Sequence, residues 1–242
     1  MEHSLALIAL VLLVAASLQS STGFGFGLLS APVLSAFLGP VPAVTTVTIV
    51  GAVVDSLTLF GNRTRPRPSL PDVRIVSLAA VPGIAIGTLL LARLPSRILQ
   101  LAIAASVVVA VILRLRPRRL AEIRHWWFGP VTGLAWGALS AATTAGGPPL
   151  LIYLMHRFKD PRTIRDTIVT TNLVRLPLSL VLLALTGAWR PPSGLPLLIG
   201  AGVCGWALGK FVFRALTPQR YERALLILLM VTAALTAFAA FR

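Results

Sequence analysis

Ten apolar runs, separated by short polar or helix-breaking stretches, make up most of the chain. They cover residues 5–18, 26–38, 41–60, 73–92 and 98–113, then 128–141, 148–158, 164–185, 195–213 and 221–241. About 20 apolar residues cross a bilayer as a helix, so the pattern predicts an all-α polytopic membrane protein. Two boundaries are breaks rather than loops. At the second, Gly146 and Gly147 release the backbone from helical geometry, and Pro148 and Pro149 suit the first turn of a new helix. That helix has about 11 residues, or about 16 Å, half a bilayer. Its unpaired N–H groups and positive dipole end then lie inside the membrane beside the hydroxyls of Thr143 and Thr144. Such an end calls for a negative or strongly accepting group. The first break, around Ser21, Thr22, Gly23 and Gly25, offers the same hydroxyls and free amides.

The two breaks are related by an offset of about 122 residues, which puts Ser21-Thr22 on Thr143-Thr144. The same shift carries Gly83 and Gly87 onto Gly205 and Gly209, pairs whose spacing suits close helix packing. The chain therefore reads as two repeats, 1–120 and 121–242, of about five helical segments each. The first two segments of each repeat are short and broken or re-entrant; sequence leaves open which. Of the 22 basic residues, 16 fall in the loops that follow the third and fifth segments of the first half and the second and fourth of the second. These loops are cytoplasmic by the positive-inside rule, and the two repeats come out inverted.

Composition agrees with the membrane reading: 56% of residues are hydrophobic, 12% are charged, and the mean hydropathy is +0.87. The net charge of +15 does not call for nucleic acid, because the basic residues sit in short loops where topology explains them. One cysteine, Cys204, builds neither a disulfide framework nor a thiolate metal site, and His3, His125 and His156 are scattered. No metalloprotease, phosphate-loop or nucleophile-elbow spacing occurs, so no catalytic residue, metal or cofactor is expected and the chain is not read as an enzyme. The N-terminal run lacks the positive flank of a signal peptide and has a counterpart in the second half, so it is retained as structure.

Two charges lie inside apolar runs. Arg175 is about 11 residues into the run that begins at 164, and an intramembrane arginine costs at least about 2.5 kcal/mol. Asp55 occupies nearly the same position in the third run of the first half. The two could pair with each other, or Arg175 could face an anion, with Asn172 one turn away adding a donor. Inverted repeats with broken helices are a recurring construction of secondary transporters, which hold their ligand at the breaks.

The stretches Gly23-Phe24-Gly25-Phe26-Gly27-Leu28-Leu29-Ser30-Ala31-Pro32-Val33-Leu34 and Gly146-Gly147-Pro148-Pro149-Leu150-Leu151-Ile152-Tyr153 resemble the TauE/SafE family, the sulfite exporter group. The resemblance implies a multi-pass permease of the bacterial inner membrane that moves sulfite, organosulfonates or small carboxylates, commonly outward. It assigns no role to Arg175.

The combined expectation is a secondary transporter, an exporter, of a small anion held between the breaks in alternating access. Ser21, Thr22, Thr143 and Thr144 supply hydroxyls, Gly23, Gly25, Gly146 and Gly147 backbone, and Asn172 and Arg175 donors. Asp55 is the candidate for proton coupling or for an ion pair. Partners are the substrate anion and lipid, not nucleic acid; a homo-oligomer stays open. The alternatives are a passive anion channel, an importer of the same substrates, and a non-transporting receptor or assembly subunit.

Overall fold

Glycine and proline punctuate the fold as they punctuate the sequence. The computed structural model describes residues 2–61, 65–115 and 127–215; the tenth run, 221–241, and the side chains of Ser21 and Thr22 lie outside the described residues. Within them the elements are α1 (Glu2–Thr22), α2 (Phe26–Leu38), α3 (Pro40–Phe60), α4 (Leu70–Arg93), α5 (Ser96–Leu115), α6 (Phe128–Thr143), α7 (Gly147–Arg157), α8 (Pro161–Leu185) and α9 (Leu195–Ala215). No strand occurs among the described residues. Helices α3, α4 and α8, of 21, 24 and 25 residues, are long and apolar enough to cross a membrane.

The first element departs from expectation. Helix α1 has 21 residues rather than a short run, because the polar stretch Gln19–Thr22 continues the helix instead of ending it. Its partner α2 is short, with 13 residues, and α7 has the expected 11. Gly23 and Gly25, with φ of 77° and 104°, make the first corner in the left-handed region that glycine occupies without a Cβ penalty. At the second corner the left-handed residue is Thr144, at φ 57°.

Close contacts fix how the helices run. Leu5, Leu13 and Ser17 of α1 meet Gly194, Gly205 and Gly209 in the same order, so α1 and α9 are parallel. Gly83 and Gly87 of α4 lie against Leu134 and Ala138 of α6, and Gly133 and Gly137 against Val76 and Ala80, so that pair is also parallel. A Cβ on any of these glycines except Gly194, which meets the Leu5 side chain, would strike a neighbouring backbone carbonyl, the packing expected of small residues between membrane helices. Helix α8 is antiparallel to α3: Ala188, just past its end, accepts from Thr45 near the start of α3, whereas Asn172 reaches Asp55 near the end. Phe26 rests on Gly51, so α2 doubles back between α1 and α3.

Two large apolar cores and a smaller third result, none confined to one half of the sequence; the third joins α3, α4, α5 and α8 around Val44, Leu91, Leu99 and Leu183. Of the large cores, one joins α1, α2, α3 and α9 around Leu12, Leu29, Val50 and Leu198. The other joins α4, α6, α7 and α8 around Ile84, Trp136, Leu150 and Ile168. Phe24, at the first corner, packs against both.

Two further buried carboxylates lie at the end where α4 and α8 begin. Asp72, 1% exposed, accepts from Tyr153 Oη at 2.6 Å and Ser69 Oγ at 2.5 Å, and pairs with Arg157 at 2.7 Å. Asp166, 2% exposed, accepts from the Arg67 amide at 2.9 Å and pairs with Arg165 at 2.9 Å. Together with a bond from the Ser69 amide to Thr167, they strap residues 65–69 to α7 and α8. Asp160 caps α8, its carboxylate accepting from the Thr163 hydroxyl and from the amides of Arg162 and Thr163.

Candidate functional site

The two corners meet. Gly27, in the first turn of α2, lies directly against the Thr144 backbone, and a Cβ on it would sit 3.0 Å from the Thr144 carbonyl carbon and 3.2 Å from its Oγ1. Across the same junction Gly147 faces the Phe24 ring. A cavity of about 70 Å³ opens at this junction, between the two large apolar cores. It is well below the roughly 300 Å³ at which pockets for drug-sized ligands begin. Its size suits a compact anion.

Arg175 is the cation of the cavity. One guanidinium nitrogen donates to Ser179 Oγ at 3.1 Å, and the group lies 5.7 Å from the centre of the Trp136 ring, a cation–π contact. Its Nε is buried with no partner in the protein. The same holds for Thr144 Oγ1, which lines the same cavity. Buried donors left unpaired cost about 1–3 kcal/mol each, more when charged, so two of them on residues that line one small cavity favour an acceptor there.

The start of α2 adds to this pole. Gln19 Oε1 accepts the Phe26 amide at 3.1 Å, and the amides of Gly27 and Leu28 follow it at a helix start, where no intrahelical acceptor is available. Gly25, Gly27 and Leu28 line the cavity. The start of α7 is poorer in donors, since Pro148 and Pro149 have no N–H.

Asp55 faces the cavity from α3. The other end of the Gln19 side chain, Nε2, donates to Asp55 Oδ1, and the Asn172 side chain lies beside the same carboxylate. Because Gln19 Oε1 is committed to Phe26, its NH2 must point at Asp55. Asp55 and Arg175 act on each other through their charges, but among the described residues no ion pair within 4.0 Å joins them.

Of the residues singled out in the sequence, Gly25, Asp55, Thr144, Gly147, Asn172 and Arg175 line this cavity. Gly23 packs instead against Arg165, and Gly146 against Ser140 and the Trp136 carbonyl. Thr143 donates to the Leu139 carbonyl at 2.7 Å and accepts the Ala145 amide at 3.2 Å, finishing the end of α6. Its hydroxyl serves the corner rather than the cavity. Gln19, Thr48, Trp136 and Ser140 also line the cavity without having been singled out. Gln19 did carry a signal, as an amide one turn before the first break. His156 and Cys204 lie elsewhere, and no group of three metal-binding side chains occurs among the described residues.

No curated relative and no solved structure matches the chain. The family described as "Sulfite exporter TauE/SafE" matches residues 8–236, nearly the whole length and across both corners. The chain therefore belongs to the TauE/SafE sulfite exporter family, a family of membrane transporters rather than enzymes.

Proposed function

We propose that the protein is a secondary transporter that moves a small oxyanion such as sulfite, an organosulfonate or a small carboxylate, and that it works outward across a bacterial inner membrane. The observation that carries this reading is the junction cavity, lined by Arg175, Thr144 and the first turn of α2, with Arg175 Nε and Thr144 Oγ1 both buried without a partner in the protein. Arg175 is the main anion contact; Thr144, Asn172 and the amides of Gly27 and Leu28 complete it.

The inverted-repeat reading is supported by the helix pairs. Under the offset of about 122 residues α1 corresponds to α6 and α4 to α9. The parallel pairs α1 with α9 and α4 with α6 therefore exchange under that correspondence, as a twofold relation requires. The basic residues Arg65, Arg157, Arg162 and Arg165 gather at the end where α4 and α8 begin, which by the positive-inside rule supports a cytoplasmic position for that end. The cavity lies between the two large apolar cores, so relative motion of those bodies would expose it to either side.

The test is purified protein in liposomes with labelled sulfite, sulfoacetate and small carboxylates. A carrier shows saturable flux that unlabelled substrate on the far side accelerates. Flux that neither saturates nor exchanges would identify a passive channel, and no flux for any anion would leave a receptor or assembly role.

A further inference from the structure

Anion binding alone gives Asp55 no task, although it shares the cavity with Arg175. The groups that face it are few. Helix α1 brings the Gln19 amide, α8 brings Asn172 and Arg175, and α9 approaches the same stretch of α3 with Gly202, against Val50 and Val54. Lys210 of α9 is engaged farther along, donating to the Gly61 carbonyl at 3.0 Å and lying over the Trp206 ring. Among the described residues, Arg175 is the charged group that acts on Asp55.

The charge balance of the cavity follows. With no ligand, one carboxylate and one guanidinium cancel. A bound monoanion leaves one net negative charge in an apolar junction, a state that costs several kcal/mol when uncompensated. Arg175 cannot neutralise the ligand and Asp55 together. A proton on the Asp55 carboxylate restores neutrality, and Asp55 is within reach of one: it lies five residues, or about 7.5 Å, from the end of α3 at Phe60. Gln19 then ties the carboxylate to the anion pole, since one amide group bridges Asp55 and the first N–H of α2.

We propose that Asp55 is a proton site that fills when the anion fills the cavity, so that one proton and one monoanion cross together with no net charge. The inference rests on the transport reading above and adds its coupling ion; with an alkaline cytoplasm such coupling opposes export, so outward flux runs only while the internal anion exceeds the external one by more than the pH ratio. The proton is taken from water on the loading side, resides on a carboxylate oxygen during the crossing, and is released when the anion departs and Arg175 again faces Asp55 alone. Binding of either partner strengthens binding of the other, as linkage requires.

The experiment uses the full chain in liposomes loaded with a pH-reporting dye, the membrane potential clamped at zero, with labelled methanesulfonate and labelled sulfite as probes. Methanesulfonate carries no titrating proton near neutrality, so any proton that moves with it comes through the protein. The expected result is about one proton per methanesulfonate and, with one pH unit across the membrane, about tenfold accumulation on the alkaline side. Asp55→Asn should abolish the accumulation, and Asp55→Glu should keep the ratio near one. Methanesulfonate flux without proton movement, or, with the clamp set to a non-zero potential, a potential-driven flux indifferent to pH, would overturn the coupling and leave the transport reading intact. Accumulation by Asp55→Asn equal to the wild type would overturn it too; if that variant yields no folded protein, the wild-type proton ratio decides. Absence of flux for both probes would overturn the transport reading and this inference with it.

Discussion

Replacing Gly27 with alanine tests the meeting of the two corners with a single methyl group. The added Cβ would lie 3.0 Å from the Thr144 carbonyl carbon and closer still to its oxygen, whereas ordinary contacts begin at 3.4 Å. Neither neighbour is the end of a flexible side chain, since Thr144 is held by the bond from its amide to the Ser140 carbonyl at 3.1 Å. The corners must therefore part by about 1 Å, a displacement that at a working site costs about 100-fold in rate. Overpacking of this kind also destabilises by about 1–3 kcal/mol, and a chain of this size loses about 2–4 °C per kcal/mol. The control is Gly200→Ala in α9, where a Cβ meets nothing within 4 Å and the exchange of glycine for alanine in a helix stabilises by about 0.5–1 kcal/mol. Labelled-anion exchange in liposomes and thermal unfolding in detergent would be measured on both. Gly27→Ala should lose both exchange and stability, and Gly200→Ala neither. A Gly27→Ala protein that exchanges and unfolds like the wild type would refute the junction.

Three further outcomes follow from the same geometry. Arg175→Gln should weaken anion binding at least tenfold in a titration with sulfite and also lower the unfolding temperature, because it leaves the buried Asp55 carboxylate without its counter-charge and removes the bond to Ser179; wild-type affinity for sulfite would remove Arg175 from the site. Asp72→Asn should lower stability by about 1–3 kcal/mol in detergent unfolding, since the carboxylate anchors Tyr153 and Arg157 of α7; unchanged stability would mean that α7 is held elsewhere. At the exposed start of α8, the Thr163 hydroxyl, followed by the Arg162 amide, holds the Asp160 carboxyl below its ordinary range. The stabilisation is thus complete above the ordinary carboxylate range and is lost as pH falls through the lowered value. Asp160→Asn, which caps without titrating, should flatten that part of the pH profile of unfolding, and an unchanged profile would refute it.

Both corners were legible in the sequence because glycine and proline act locally: Gly23, Gly25 and Pro148 need no distant partner to break a helix. Arg175 and Asp55 stood out as charges in apolar runs. Their relation was not legible, because Asp55 and Asn172 are brought together by the antiparallel crossing of α3 and α8, a tertiary event. Gln19 was passed over for a similar reason, its partner lying 36 residues away. Asp72 and Asp166 carried no signal of burial, since the strap of residues 65–69 and the arginines of α7 and α8 that cover them come together only in the fold. Hydroxyls misled in the opposite direction. Thr143 reads as a donor toward a ligand, but a threonine in the last turn of a helix has a carbonyl four residues back within reach, and Thr143 takes it.

The exchange of partners between the halves bears on how the chain is made. Helix α1 presents Leu13 and Ser17 to Gly205 and Gly209, and the Ser17 hydroxyl bonds the Gly205 carbonyl 188 residues later. At about 5–20 residues per second, a ribosome needs roughly 10–40 s to travel that distance. For that interval the face of the first helix that carries Leu13 and Ser17 waits in the bilayer turned to lipid, and only the late arrival of α9 covers it.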